Sequence, residues 1–82
     1  MTISDITPQD ELMIGQRLRE ARAASGLTQQ QVANQLGIYQ SRLSMMERGF
    51  GANAIVLLRL AQLYGTTTDY LIGGEAASRS AA

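Results

Sequence analysis

The sequence predicts an all-α domain of five short helices. Apolar residues recur at three- and four-residue spacing along five separate runs, which is the spacing of one helix face. Glycine closes each run, at Gly26, Gly37, Gly49, Gly65 and the pair Gly73-Gly74, where the left-handed backbone of a helix stop suits it. Residues able to cap a helix, namely Thr7, Thr28, Asn53 and Thr67, stand at the head of four runs.

The first helix is expected from Pro8 to about Ser25. Thr7 caps it, Pro8 takes the first helical position, and Asp10 faces the positive helix end. Ile14, Leu18 and Ala21 make its apolar stripe, with Arg22 at the edge. In the second helix Thr28 and Gln31 form a capping box, and Val32, Ala33 and Leu36 share one face. Gly37 stops it. Only Ile38 and Tyr39 precede a third run, which turns Leu43, Met46 and Glu47 inward and ends at Gly49. Two short helices joined by a glycine-bearing turn form a helix-turn-helix, whose second helix can lie in the major groove of DNA.

The fourth helix is expected over 54–64, capped by Asn53. Leu57, Leu58, Ala61 and Tyr64 make its core stripe, extended by Val56, Leu60 and Leu63, while Ile55 stands beside Arg59 and Gln62. A helix this apolar around its circumference is deeply buried or meets a partner. A last short helix, capped by Thr67, carries Asp69 in its first turn and turns Leu71 and Ile72 inward. Residues 1–7 and 74–82 read as flexible ends around one domain at 8–73. Its expected core is Ile14, Leu18, Val32, Ala33, Leu36, Ile38, Leu43, Met46, Leu57, Leu58, Ala61, Tyr64 and Leu71.

Composition narrows the function classes. The 82 residues include no cysteine and no histidine, which removes thiol chemistry, the commonest general base and the usual metal-ligand sets. The carboxylates are scattered among capping and helix-surface positions, so no acid–base pair or nucleophile constellation forms, and no enzyme, cofactor or metal is expected. No run approaches the roughly 20 apolar residues needed to span a bilayer, and the first ten residues lack a signal-peptide pattern. A soluble cytoplasmic protein is expected. Formal net charge is zero, yet between Glu11 and Tyr64 six arginines face three glutamates, a local excess of +3. Every cation is arginine, which suits bidentate contacts to phosphate and guanine, although so few give a modest electrostatic footprint.

On a helical wheel, with Leu43, Met46 and Glu47 on the core side, the opposite face of the third helix carries Gln40, Ser41, Ser44, Met45 and Arg48, with Arg42 on the flank. Glutamine can bond adenine bidentately, serine can donate or accept, and an apolar side chain can touch a thymine methyl. Taken singly, Gln29, Gln40 and Ser41 also fit as polar decoration of exposed helix starts, and Met45 as core filler. Phe50, the single phenylalanine, is expected to pack on the fourth helix; in the alternative it sits exposed near DNA.

The residues Leu27-Thr28-Gln29, Val32-Ala33, Leu36-Gly37-Ile38, Leu43-Ser44 and Glu47-Arg48-Gly49 resemble the helix-turn-helix of the phage-repressor and Cro-like (XRE-type) family of bacterial transcriptional regulators. Leu60-Ala61, Leu63-Tyr64-Gly65 and Asp69-Tyr70-Leu71 resemble that family's fourth and fifth helices. The resemblance covers roughly Ile14 to Gly73 and implies a compact five-helix, lambda-repressor-like DNA-binding domain. It places Gln40, Ser41, Ser44 and Met45 at base-reading positions and Gln29 at a phosphate-contacting one. Thr28, Tyr39, Arg42 and Arg48 complete the expected contacts to the DNA backbone, although Tyr39 fits equally as packing over the turn. Arg22 and Glu47 match the family's interhelical arginine–carboxylate pair. The chain departs from the family at Tyr39, where serine or threonine is commoner, and in the glycine-bearing loop after Gly49, where a basic residue is frequent.

Double-stranded DNA is therefore the expected partner, bound by a homodimeric regulator, with a repressor as the leading reading. Ile55, Val56, Leu63, Tyr70 and Ile72 supply a candidate dimer face; in the alternative, Val56, Leu63 and Ile72 are core. A protein-interaction module on the same fold, such as an antitoxin holding a toxin partner, is the competing reading, favoured by zero net charge and the apolar fourth helix.

Overall fold

The computed structural model of the protein describes residues 8–80. Its elements are α1 (Pro8–Ala24), α2 (Gln29–Leu36), α3 (Gln40–Glu47), α4 (Ala54–Tyr64) and α5 (Thr68–Ser80). All regular structure among the described residues is helical, as the sequence predicts. The expected Thr7 cap and the ends at 1–7 and 81–82 lie outside the described residues.

Local chemistry sets the boundaries. The Gln31 N–H donates to Thr28 Oγ1 at 3.1 Å, and the Thr28 N–H donates to Gln31 Oε1 at 2.9 Å, so the capping box closes on both sides. Asn53 accepts from the Val56 N–H and Thr67 from the Tyr70 N–H, each at 3.0 Å. Tyr39 offers no such oxygen and α3 begins without a side-chain cap. Between α2 and α3, Gly37 takes φ 71°, and the Ile38 N–H folds back to the Ala33 carbonyl at 3.0 Å.

The core lies where α1 packs on α3 and α5, α2 on α3, and α4 on α5. Leu18, Val32, Leu43, Met46, Leu57, Leu60, Ala61 and Leu71 fill it, with Ile14, Leu36, Ile38 and Tyr64 packed around them. The α1–α3 crossing is unusually close. A methyl on Gly15 would lie 2.7 Å from the Glu47 carbonyl oxygen and 2.8 Å from that of Met46. One on Gly49 would lie 3.2 Å from the α1 backbone at Leu12. The absence of two side chains thus lets the backbones touch and brings the end of α3 against α1.

The structure corrects several expectations. Leu58 is not core but 48% exposed, and Leu60, expected only to extend the stripe, is fully buried. The inward face of α4 runs through Leu57, Leu60, Ala61 and Tyr64, because packing on α5 and α1 selects one side of a helix that is apolar nearly all round. Ile72 points outward while its neighbour Leu71 is buried. Gly74 breaks the helical path (φ 74°, ψ −160°), as the glycine pair suggests, but a second helical stretch follows to Ser80 where the composition predicts a flexible tail. Arg17 sits behind this break. Its Nη1 donates to the Leu71 and Ile72 carbonyls at 3.2 and 3.0 Å, satisfying acceptors at the end of the first stretch. No described helix is long and apolar enough to cross a membrane.

Candidate nucleic-acid interface

The site is built around one buried carboxylate. Glu47, in the last turn of α3, is 3% exposed at its side chain, and Arg22 of α1 is 17% exposed. Arg22 Nε donates to Glu47 Oε2 at 2.6 Å and Nη2 to Oε1 at 3.1 Å, a bidentate pair. Arg22 Nη1 also donates to the Leu27 carbonyl at 3.0 Å, fixing the approach to α2. The hydrogen bond it donates to Glu47 holds the Arg22 guanidinium above its ordinary pKa, against the opposing effect of burial.

The network continues outward. Gln29, first residue of α2, donates to Glu47 Oε1 at 3.0 Å. Gln40, first residue of α3, donates to Gln29 Oε1 at 3.3 Å. One path of hydrogen bonds therefore runs from α1 through the end of α3 and the start of α2 to the start of α3. It locks the angle between the two helices and ends at an exposed amide. Beside it lies Tyr64, whose buried hydroxyl has no partner among the described residues. Burial, with help from the Glu47 charge, pushes its pKa up to about 12.

The outward ridge of α3 presents Gln40, Ser41 and Met45, all exposed, with Ser44 half-buried. Ser44 lines a polar recess of about 230 Å³ together with Arg19, Arg22, Gln29, Glu47 and Arg48. Tyr39, Arg42 and Arg48 are exposed around the ridge, and Gln29 is half-buried at its base. Thr28 spends its hydroxyl on the capping box, leaving exposed surface at the start of α2. Arg19, one of the six central arginines, also joins this face through the polar recess. Its helical offset of three residues from Arg22 could have revealed it. Arg17, counted with the other cations, is instead engaged with α5.

Phe50, expected to pack on α4, is instead 56% exposed, outside the core, and lines a hollow with Met45. Of the candidate dimer residues, Val56, Leu63 and Tyr70 pack against the core while Ile55 and Ile72 stay exposed. Leu58, three residues from Ile55 on α4, adds to the uncovered apolar surface. No group of three or more metal-ligating side chains occurs among the described residues.

A helix-turn-helix domain family matches residues 14–71 of the chain. The chain belongs to this family and is of the XRE type, a class of DNA-binding proteins rather than enzymes. It is similar to the HTH-type transcriptional regulator ImmR of Bacillus subtilis (strain 168), at 39% identity over 69 residues, covering 83% of this chain and 54% of that one. It is also similar to an uncharacterized SPbeta prophage-derived HTH-type transcriptional regulator, YonR, of the same organism, at 33% identity over 63 residues, covering 76% and 58%. The chain thus spans little more than half the length of either relative.

Proposed function

We propose that this domain is a sequence-specific transcriptional regulator, acting as a repressor, that inserts α3 into the major groove of its operator as a homodimer. The observation that carries the reading is the hydrogen-bonded path from Arg22 to Gln40. It presents an outward glutamine from a rigid support, and preorganisation of this kind lowers the entropy cost of binding. One N–H of Gln40 is held by Gln29. The carboxamide oxygen and the second N–H remain to meet adenine N6 and N7. Ser41, Ser44 and Met45 offer a hydroxyl, a second hydroxyl and an apolar group to neighbouring base edges. Gln29, Tyr39, Arg42 and Arg48, with the backbone at Thr28, face the flanking phosphates.

The dimer face in this reading draws on the exposed residues Ile55, Leu58 and Ile72, while Val56, Leu63 and Tyr70 pack against the core. A two-fold contact there leaves α3 outward on both copies and sets half-sites about 34 Å apart. The same exposed residues favour the competing reading, a protein-interaction module such as an antitoxin. Selection of bound duplexes from a random DNA pool separates the two. Recovery of a two-fold symmetric sequence with salt-dependent binding supports the regulator; recovery of no preferred sequence contradicts it.

A further inference from the structure

The position of Phe50 follows from how α3 stops. Gly49 adopts φ 98°, its N–H donates to the Met46 carbonyl at 3.0 Å, and the Phe50 N–H donates to the Met45 carbonyl at 2.9 Å. This paired pattern folds the chain back over the last helical turn and sets the residue after the glycine beside the one five positions earlier. An apolar contact between those two commonly accompanies the motif. Here the two residues are Phe50 and Met45, and both side chains still remain about half exposed. With Ser41, Arg42 and Gly51 they line a hollow of about 250 Å³. Its lining carries one positive charge and no acid.

We infer that this hollow receives the 5-methyl group of a thymine, so that Phe50 is a specificity-determining residue lying outside the recognition helix. The inference rests on the major-groove reading of α3 given above. Ser41 and Met45 are one turn apart on the outward ridge, so the hollow continues that ridge toward the end of α3. The thymine methyl is the apolar feature that the major groove displays, and an aromatic ring beside a thioether offers it a surface without competing hydrogen bonds. Arg42 at the rim complements the adjoining phosphate. A second copy of the chain fits less well, because a self-complementary contact centred on the hollow would set Arg42 against Arg42.

The test uses the full chain and the duplex it selects from a random pool. Each thymine of that duplex is replaced in turn by deoxyuracil, which removes only the 5-methyl. At one thymine per half-site the replacement weakens wild-type binding about four-fold, the effect of one buried methyl. Phe50→Ala binds the thymine duplex more weakly and loses this response, and Phe50→Leu keeps part of it. Phe50 is about half exposed and outside the core, so both variants stay folded, with melting temperatures close to that of wild type. Three results overturn the inference while leaving the regulator reading intact: unchanged uracil responses in Phe50→Ala, equal weakening of all sequences by that variant, or an altered self-association without DNA. Failure to select any duplex overturns the regulator reading and this inference with it.

Discussion

Arg22 of α1 and Glu47 of α3 meet through two hydrogen bonds, at 2.6 and 3.1 Å, with the carboxylate almost wholly shielded from water. A buried ion pair adds little net stability over an apolar pair of the same shape, but losing one partner strands the other. Arg22→Ala is expected to cost about 3–5 kcal/mol. Glu47→Gln should cost less, since the charge it leaves without a counter-ion, on Arg22, is the more exposed of the two and keeps its bond to the Leu27 carbonyl. Urea unfolding of both variants checks the ordering.

The α1–α3 crossing makes a second prediction. Gly15→Ala drives a methyl to within 2.7–2.8 Å of the α3 backbone, which has no flexible side chain to move aside. Overpacking of this kind costs roughly 1–3 kcal/mol or more, despite the better helix propensity of alanine. A variant with wild-type or higher melting temperature would show that the helices separate freely.

Tyr64 supplies a third. Its buried hydroxyl has no partner among the described residues, so Tyr64→Phe should preserve stability or raise it by roughly 1 kcal/mol. The phenol pKa is raised to about 12 from 10.0. A raised pKa means that the folded state holds this proton more tightly, so the stability it contributes is fully present below pH 10.0 and is lost as pH rises toward about 12. Denaturation profiles in that window should be steeper for wild type than for Tyr64→Phe.

The proposed dimer gives a fourth. Leu58→Arg and Ile55→Arg place charge on exposed positions of α4, so the fold should survive. Each substitution strikes a two-fold contact twice. Sedimentation should show monomers where wild type shows dimers, and DNA affinity should fall together with self-association. Unchanged sedimentation would move the interface elsewhere.

What the sequence made legible was mostly local. The Thr28–Gln31 capping box and the Gly37 turn involve residues a few positions apart, and their chemistry can be read directly. The helix-turn-helix and the outward set on α3 follow, because one apolar face of α3 fixes the other by geometry. The inward face of α4 was not legible. With apolar residues nearly all round, periodicity does not choose between Leu58 and Leu60, and only the packing of α5 and α1 decides. The need for Gly15 and the engagement of Arg17 with α5 both arise from helix crossings between distant residues. The exposed alternative for Phe50 has a local cause: a glycine closing α3 places the next residue back over Met45.

The central claim is that α3 reads base edges while its flanking cations anchor the DNA backbone. Binding of wild type, Gln40→Ala and Arg48→Ala to the selected duplex and its single-base variants, across a salt series, tests it most directly. Gln40→Ala should lose roughly 1–3 kcal/mol of discrimination at one position and keep the wild-type salt dependence. Arg48→Ala should weaken all sequences alike and flatten the salt slope by about one. A Gln40→Ala protein that keeps the wild-type sequence preference at every position would contradict the account.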